Sequence, residues 1–202
     1  MKSLLHLVCL TTTLCFSALA TGQSQFALNQ SFAALYEQEL GSTQKCLSSS
    51  ANRYAVCSPA LRGDGNAPFI LFQQPDSPIV VLTHGLSDSP FFVSAIADEL
   101  YDSGYTVIAP LLPGHGLKDA DAAMEDEQLA ERWQAHLAEV VELALQSTDK
   151  VVLGGFSTGG ALSVDYYLSN PDNVQGILLF SGALALNGNV ESLSKLWGIK
   201  TL

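Results

Sequence analysis

Short apolar, β-branched runs that alternate with helical patterns constrain this chain more than any other feature. Ile79–Thr83 is a continuous run without polar alternation, as expected of a strand buried on both faces of a parallel sheet. Tyr105–Ala109, Val151–Phe156 and Val174–Phe180 read the same way. Between them lie helical patterns over Phe91–Tyr101, Gln128–Leu145 and Thr158–Leu168. In the middle helix Leu129, Trp133, Leu137, Val140 and Ala144 recur at three- and four-residue spacing, while Glu131, Arg132, Glu139 and Glu142 take the other side. Parallel strands need crossover helices, so the alternation predicts a doubly wound, mostly parallel α/β sheet with helices on both faces. In such a sheet, ligands sit beyond the C-terminal ends of the strands.

Ahead of this core the sequence predicts a helix over Phe26–Leu40, a polar stretch holding Cys46 and Cys57, and a strand at Phe69–Phe72. The chain has 202 residues, 48% of them hydrophobic and 14% charged, which suits one domain with one sizeable core. Its first 20 residues read as a secretory signal peptide: Lys2, an uncharged run from Ser3, and small residues at Ala18 and Ala20. The run is short for a membrane span and is interrupted by Thr11, Thr12, Thr13 and Ser17. Val8 and Leu14 disfavour lipid attachment at Cys9 or Cys15. Cleavage near Ala20 gives a secreted or periplasmic protein with no stable membrane span.

Cleavage removes Lys2 and no acid, taking the formal charge from −11 to −12. That charge disfavours nucleic acid and anionic membrane surfaces as partners and favours a neutral small-molecule or lipid-like substrate. Cys46 and Cys57 are then the remaining cysteines, expected as a disulfide in an oxidising compartment, with two free thiols as the alternative. With no histidine near the pair, a metal site is disfavoured, and no metal or cofactor is expected.

Gly155-Phe156-Ser157-Thr158-Gly159 falls where the strand from Val151 meets the helix from Thr158, the context of a G-x-S-x-G nucleophile elbow. Such a turn strains the serine backbone and needs glycine on both sides, because a Cβ at either position would meet the neighbouring strand or helix. It lifts the Ser157 hydroxyl above the sheet at a helix N-terminus, where free amides favour developing negative charge. A glycine-rich structural turn is the competing reading, disfavoured because neither G-x-G-x-x-G nor a P-loop lysine is present.

His84-Gly85-Leu86 follows the strand ending at Thr83, so the Leu86 and Thr158 N–H groups would converge on a tetrahedral oxyanion. His84 precedes the serine, whereas this fold orders its triad as serine, acid, histidine; His84 therefore reads as structural. His115, in Pro113-Gly114-His115-Gly116, reads as organising a loop at the edge of the site, and His136 as a core or covering residue. Asp165, two turns beyond Ser157, points away from the site. Between Ser181 and Leu186 there is no carboxylate, and Glu191 is the first acid reached.

With H-G-L, P-G-H-G and G-F-S-T-G-G in this order, the chain resembles α/β-hydrolases, particularly the monoacylglycerol lipase, carboxylesterase and serine aminopeptidase-like group, over about Phe69–Asn187. The resemblance implies Ser157 as nucleophile, Leu86 as an oxyanion donor, and a cap beginning within Asn187–Leu202 with Leu193, Leu196, Trp197 and Leu202 on its underside. The expected organisation is a signal peptide at 1–20, an N-terminal extension at 21–68, an incomplete hydrolase core at 69–186 and the start of a cap at 187–202. The triad acid and histidine that the resemblance calls for do not follow Ser157, so the reading expects the gene to continue beyond Leu202 and the fragment alone to be inactive. The implied function is a secreted serine esterase or lipase acting on neutral acyl esters. A peptidase or amidase on the same scaffold and a non-catalytic binding protein are the alternatives.

Overall fold

The computed structural model describes residues 25–184. The expected signal peptide, Cys9, Cys15, Glu191 and the cap segment lie outside those residues. A seven-stranded sheet runs in the order β1-β2-β3-β5-β4-β6-β7. Its strands are β1 (Gln44–Lys45), β2 (Arg53–Cys57), β3 (Phe69–Leu71), β4 (Ile79–Thr83), β5 (Thr106–Ala109), β6 (Val151–Phe156) and β7 (Gly176–Phe180). From β5 through β4 and β6 to β7 all pairings are parallel, and β1, β2 and β3 extend the sheet antiparallel to their neighbours. Every residue of β4 and β5 is buried, which explains their unbroken apolar runs.

The helices are α1 (residues 25–34), α2 (Glu37–Leu40), α3 (Pro90–Asp102), α4 (Asp121–Met124), α5 (Leu129–Leu145) and α6 (Thr158–Ser169). Pro90 opens α3, a position where its missing N–H costs no hydrogen bond. The chain moves from β4 outward to β5 through α3, then back past β4 to β6 through α5 and on to β7 through α6. Right-handed crossovers in these opposite directions place α3 on one face and α5 and α6 on the other.

The structure departs from the sequence reading mainly at the N-terminal end. The single helix expected over Phe26–Leu40 is two helices, because the chain turns at Leu35–Tyr36. Leu28, Phe32, Tyr36 and Leu40 are all buried at four-residue spacing, so the stripe runs through the break and conceals it. The polar cysteine stretch contains the edge strand β1 and its neighbour β2.

Cys46 and Cys57 are buried and bonded to each other, with Cα atoms 5.0 Å apart, tying the turn before β2 to its end. By loop entropy a closure of this size contributes about 3 kcal/mol. Reduction is therefore expected to lower the free energy of unfolding from urea titration by that amount; an unchanged value after verified reduction would count against a stabilising bridge.

Candidate active site

Adjacent strands whose connections leave on opposite faces open a crevice at their C-terminal ends. Here those strands are β4, followed by α3, and β6, followed by α6. Their register aligns Thr83 with Gly155, so His84-Gly85 and Phe156-Ser157 emerge side by side. Ser157 occupies the turn between β6 and α6 with φ 51° and ψ −113°, a region that disfavours any residue with a Cβ and costs on the order of 1–3 kcal/mol. The surroundings hold it there. Its N–H donates to the Phe180 carbonyl at 3.0 Å, and its carbonyl accepts from the Ala183 N–H at 3.0 Å and the Gly160 N–H at 3.0 Å.

The close approach around this turn explains its glycines. A Cβ on Gly155 would lie 2.2 Å from the Gly159 carbonyl carbon, and one on Gly159 would lie 2.2 Å from the Thr83 carbonyl oxygen. Gly85 is less tightly placed, its neighbours being side chains: a Cβ there would come within 2.7 Å of the Asp88 carboxylate and 3.3 Å of the Ser157 Cβ. The loop after β4 therefore touches the serine. Among the described residues no hydrogen bond takes up the N–H of Leu86 or of Thr158, and none engages the Ser157 hydroxyl. Ser157, Leu86 and Thr158 are each half-buried.

Two histidines lie beneath this loop. His84 is fully buried; its Nδ1 donates to the Gly85 carbonyl at 2.8 Å and its Nε2 accepts the Leu112 N–H at 3.1 Å. His115, also buried, donates from Nε2 to the Leu86 carbonyl at 2.6 Å, and its ring packs edge-on against His84 at 4.9 Å. The third, His136, is buried on α5 with its Nε2 3.4 Å from the Tyr36 hydroxyl. None of the three hydrogen-bonds Ser157. Asp165 lies down α6 and accepts from the Gln134 side-chain amide at 2.9 Å.

Sequence reasoning missed the residues that hold the Leu111–Gly116 loop. The Tyr36 hydroxyl accepts the Leu111 N–H at 3.2 Å, and the Trp133 indole N–H donates to the Pro113 carbonyl at 2.8 Å. Glu39 accepts the Gly114 N–H at 2.8 Å and is paired with Arg132, which also binds Asp126 at 2.7 Å. The buried indole alone signalled that a partner was needed, because a Trp N–H in a core requires an acceptor.

Burial, and then the nearby His115 ring, push the His84 pKa down to about 3, and burial pushes His136 down to about 4. Both lie below the ordinary 6.5, so on acidification the unfolded chain takes up these protons first. Stability from these groups is therefore complete above pH 6.5 and falls as the pH drops, by about 1.4 kcal/mol per unit per histidine. The loss levels off near pH 4 for His136 and near pH 3 for His84. Between pH 7 and 5 the two together are expected to remove about 4 kcal/mol, and His136→Gln is expected to halve that loss. Urea titrations across that range check it; a flat stability from pH 7 to 5 contradicts neutral burial of these rings.

A mostly parallel sheet with a strained serine between strand and helix, beside a glycine loop with unpaired amides, defines an α/β-hydrolase architecture. The family profile described as "Serine aminopeptidase, S33" matches residues 74–201. The chain belongs to this family of α/β-hydrolases. It is 30% identical over 105 residues to a thermostable monoacylglycerol lipase of Bacillus sp. (strain H-257), covering 52% of this chain and 40% of that one. Among solved structures it resembles one described with the metagenome-derived lipolytic enzymes LipS and LipT, at 27% identity and a TM-score of 0.53, over 64% of this chain and 50% of that one. A monoacylglycerol lipase of Paleococcus ferrophilus aligns at 27% identity and a TM-score of 0.47, covering 63% of this chain and 49% of that one. The chain thus spans half or less of the length of these relatives. Among the described residues no helix is long and apolar enough to cross a membrane, and no cluster of metal-ligating side chains forms.

Proposed function

We propose that this protein is an exported serine hydrolase that cleaves neutral carboxylic esters through an acyl-enzyme on Ser157. The observation that carries the reading is the pairing of a half-buried, positive-φ Ser157 with an adjacent Gly85-Leu86 turn whose amide is unused. The Ser157 hydroxyl attacks the ester carbonyl, and the Leu86 and Thr158 N–H groups take the negative charge of the tetrahedral intermediate. Collapse expels the alcohol, and water then releases the acid.

A serine hydroxyl needs a base, and the ring nitrogens of His84, His115 and His136 all face other partners. The reading therefore requires a histidine and its orienting acid from outside residues 25–184. Acidity of the chain supports a neutral substrate, and the likeness to a monoacylglycerol lipase supports an acyl glycerol or similar ester. Export rests on the Lys2–Ala20 pattern, which also places Cys46 and Cys57 in an oxidising compartment.

The family's description as serine aminopeptidases favours a second reading, amide cleavage by the same elbow. A panel of neutral p-nitrophenyl esters and aminoacyl amides, offered to the full-length protein, separates the two. Ester turnover well above amide turnover is expected, together with fluorophosphonate modification mapped to Ser157; absence of both would leave a non-catalytic binding protein.

A further inference from the structure

We propose that His84 is a positioning residue for the oxyanion hole, holding the peptide plane that carries the Leu86 N–H by donating to the carbonyl of that same peptide. The proposal rests on the assignment of Ser157 and Leu86 above. The Gly85 carbonyl and the Leu86 N–H belong to one rigid amide, so fixing one fixes the other. A carbonyl oxygen only accepts, so the 2.8 Å contact requires the proton on His84 Nδ1. The Leu112 N–H points at Nε2 at 3.1 Å and requires that nitrogen to be the acceptor. Both contacts select the same neutral tautomer, and full burial of the ring keeps it in that form. The result is a continuous file: Leu112 N–H to His84 Nε2, His84 Nδ1–H to the Gly85 carbonyl, and, at the other end of that peptide, the Leu86 N–H that takes no partner among the described residues.

Two further contacts hold the ends of this turn. The Asp88 N–H reaches the same Gly85 carbonyl at 3.2 Å, and His115 Nε2 donates to the Leu86 carbonyl, fixing the next peptide. The Asp88 contact is local to the turn, whereas His84 and His115 both tie it to the Leu111–Gly116 loop, which Tyr36 and Glu39 hold from the N-terminal segment; of the two rings, only His84 donates to the peptide that carries the Leu86 N–H. Polarisation along the file also strengthens the Leu86 N–H as a donor when negative charge develops.

Two substitutions in the full-length protein divide the two hydrogen bonds of the ring. In His84→Asn the side-chain Nδ2 falls where Nδ1 stood and can still donate to Gly85, while the Leu112 N–H loses its acceptor. In His84→Gln the side-chain oxygen can reach the Leu112 N–H, while the Gly85 donor is lost. The expected result is a kcat loss of about ten- to a hundredfold in His84→Gln with KM little changed, and kcat within about threefold of wild type in His84→Asn. Equal kcat in the two folded variants, whether retained or lost, overturns the proposal and leaves His84 a purely structural residue.

The ring proton of His84 in the unsubstituted protein gives a measurement independent of folding defects. Forming a tetrahedral adduct on Ser157 with an alkyl boronic acid is expected to shift the Nδ1–H resonance, and an unmoved resonance with the adduct verified by mass overturns the proposal. A boronate or fluorophosphonate that fails to modify Ser157 in the wild type instead removes the assignment beneath it.

Discussion

Replacing Ser157 by alanine is expected to lower ester turnover by at least about a thousandfold while leaving the fold intact. The hydroxyl makes no hydrogen bond among the described residues and is half-buried, so its removal should change stability by no more than about 0.5 kcal/mol. The backbone at this position carries the cost, because φ is 51° whatever the Cβ bears. Ser157→Gly should therefore be as inactive as Ser157→Ala yet more stable by about 1 kcal/mol. Steady-state kinetics with urea titrations on the three proteins check both parts. Substantial turnover in Ser157→Ala would remove the nucleophile assignment.

Replacing Gly159 by alanine is expected to destabilise the protein by more than about 4 kcal/mol, enough to prevent accumulation of soluble material from a domain of ordinary stability. The new methyl group would lie 2.2 Å from the Thr83 carbonyl oxygen and 2.6 Å from that of His84. Both belong to backbone at the end of β4, whose neighbours on each side are paired strands, so neither can yield by a side-chain rotation. Gly176→Ala serves as the control, because a Cβ there meets nothing within 4 Å, and it should lie within about 0.5 kcal/mol of wild type. A Gly159→Ala protein that melts close to wild type would mean that α6 does not sit against β4 as described.

The parallel core was legible because burial on both faces leaves a simple trace: Ile79–Thr83 and Thr106–Ala109 have no solvent side to supply polar alternation. Strands β1 and β2 left no such trace. They lie at the antiparallel end of the sheet, where Arg53 is half-buried and stacks its guanidinium over the Phe69 ring at 3.7 Å, so a charged residue serves as cover for the core. The elbow was legible from local spacing alone, since its glycines answer contacts made within one turn and the adjoining strand. For His84 and His115 a structural role could be read from chain order and position but their partners could not, because those are backbone carbonyls and amides, which every residue possesses and no side-chain pattern reveals. The clamp of Glu39 on Arg132 and Gly114 joins polar residues far apart in sequence that individually resemble any solvated surface charge.

That clamp also sets an order of events during synthesis. Tyr36 and Glu39 meet Leu111 and Gly114 across 75 residues of chain, and Tyr36 meets His136 across 100. The Phe32 and Tyr36 rings therefore leave the ribosome long before the surface that buries them exists, and they must wait as exposed apolar groups on two short helices that have little stability alone. Closure of such long loops is slow relative to local helix formation. Until α5 has been made, the nascent chain therefore carries its N-terminal aromatic stripe without the surface that covers it, and the Leu111–Gly116 loop lacks the Trp133 indole that holds the Pro113 carbonyl.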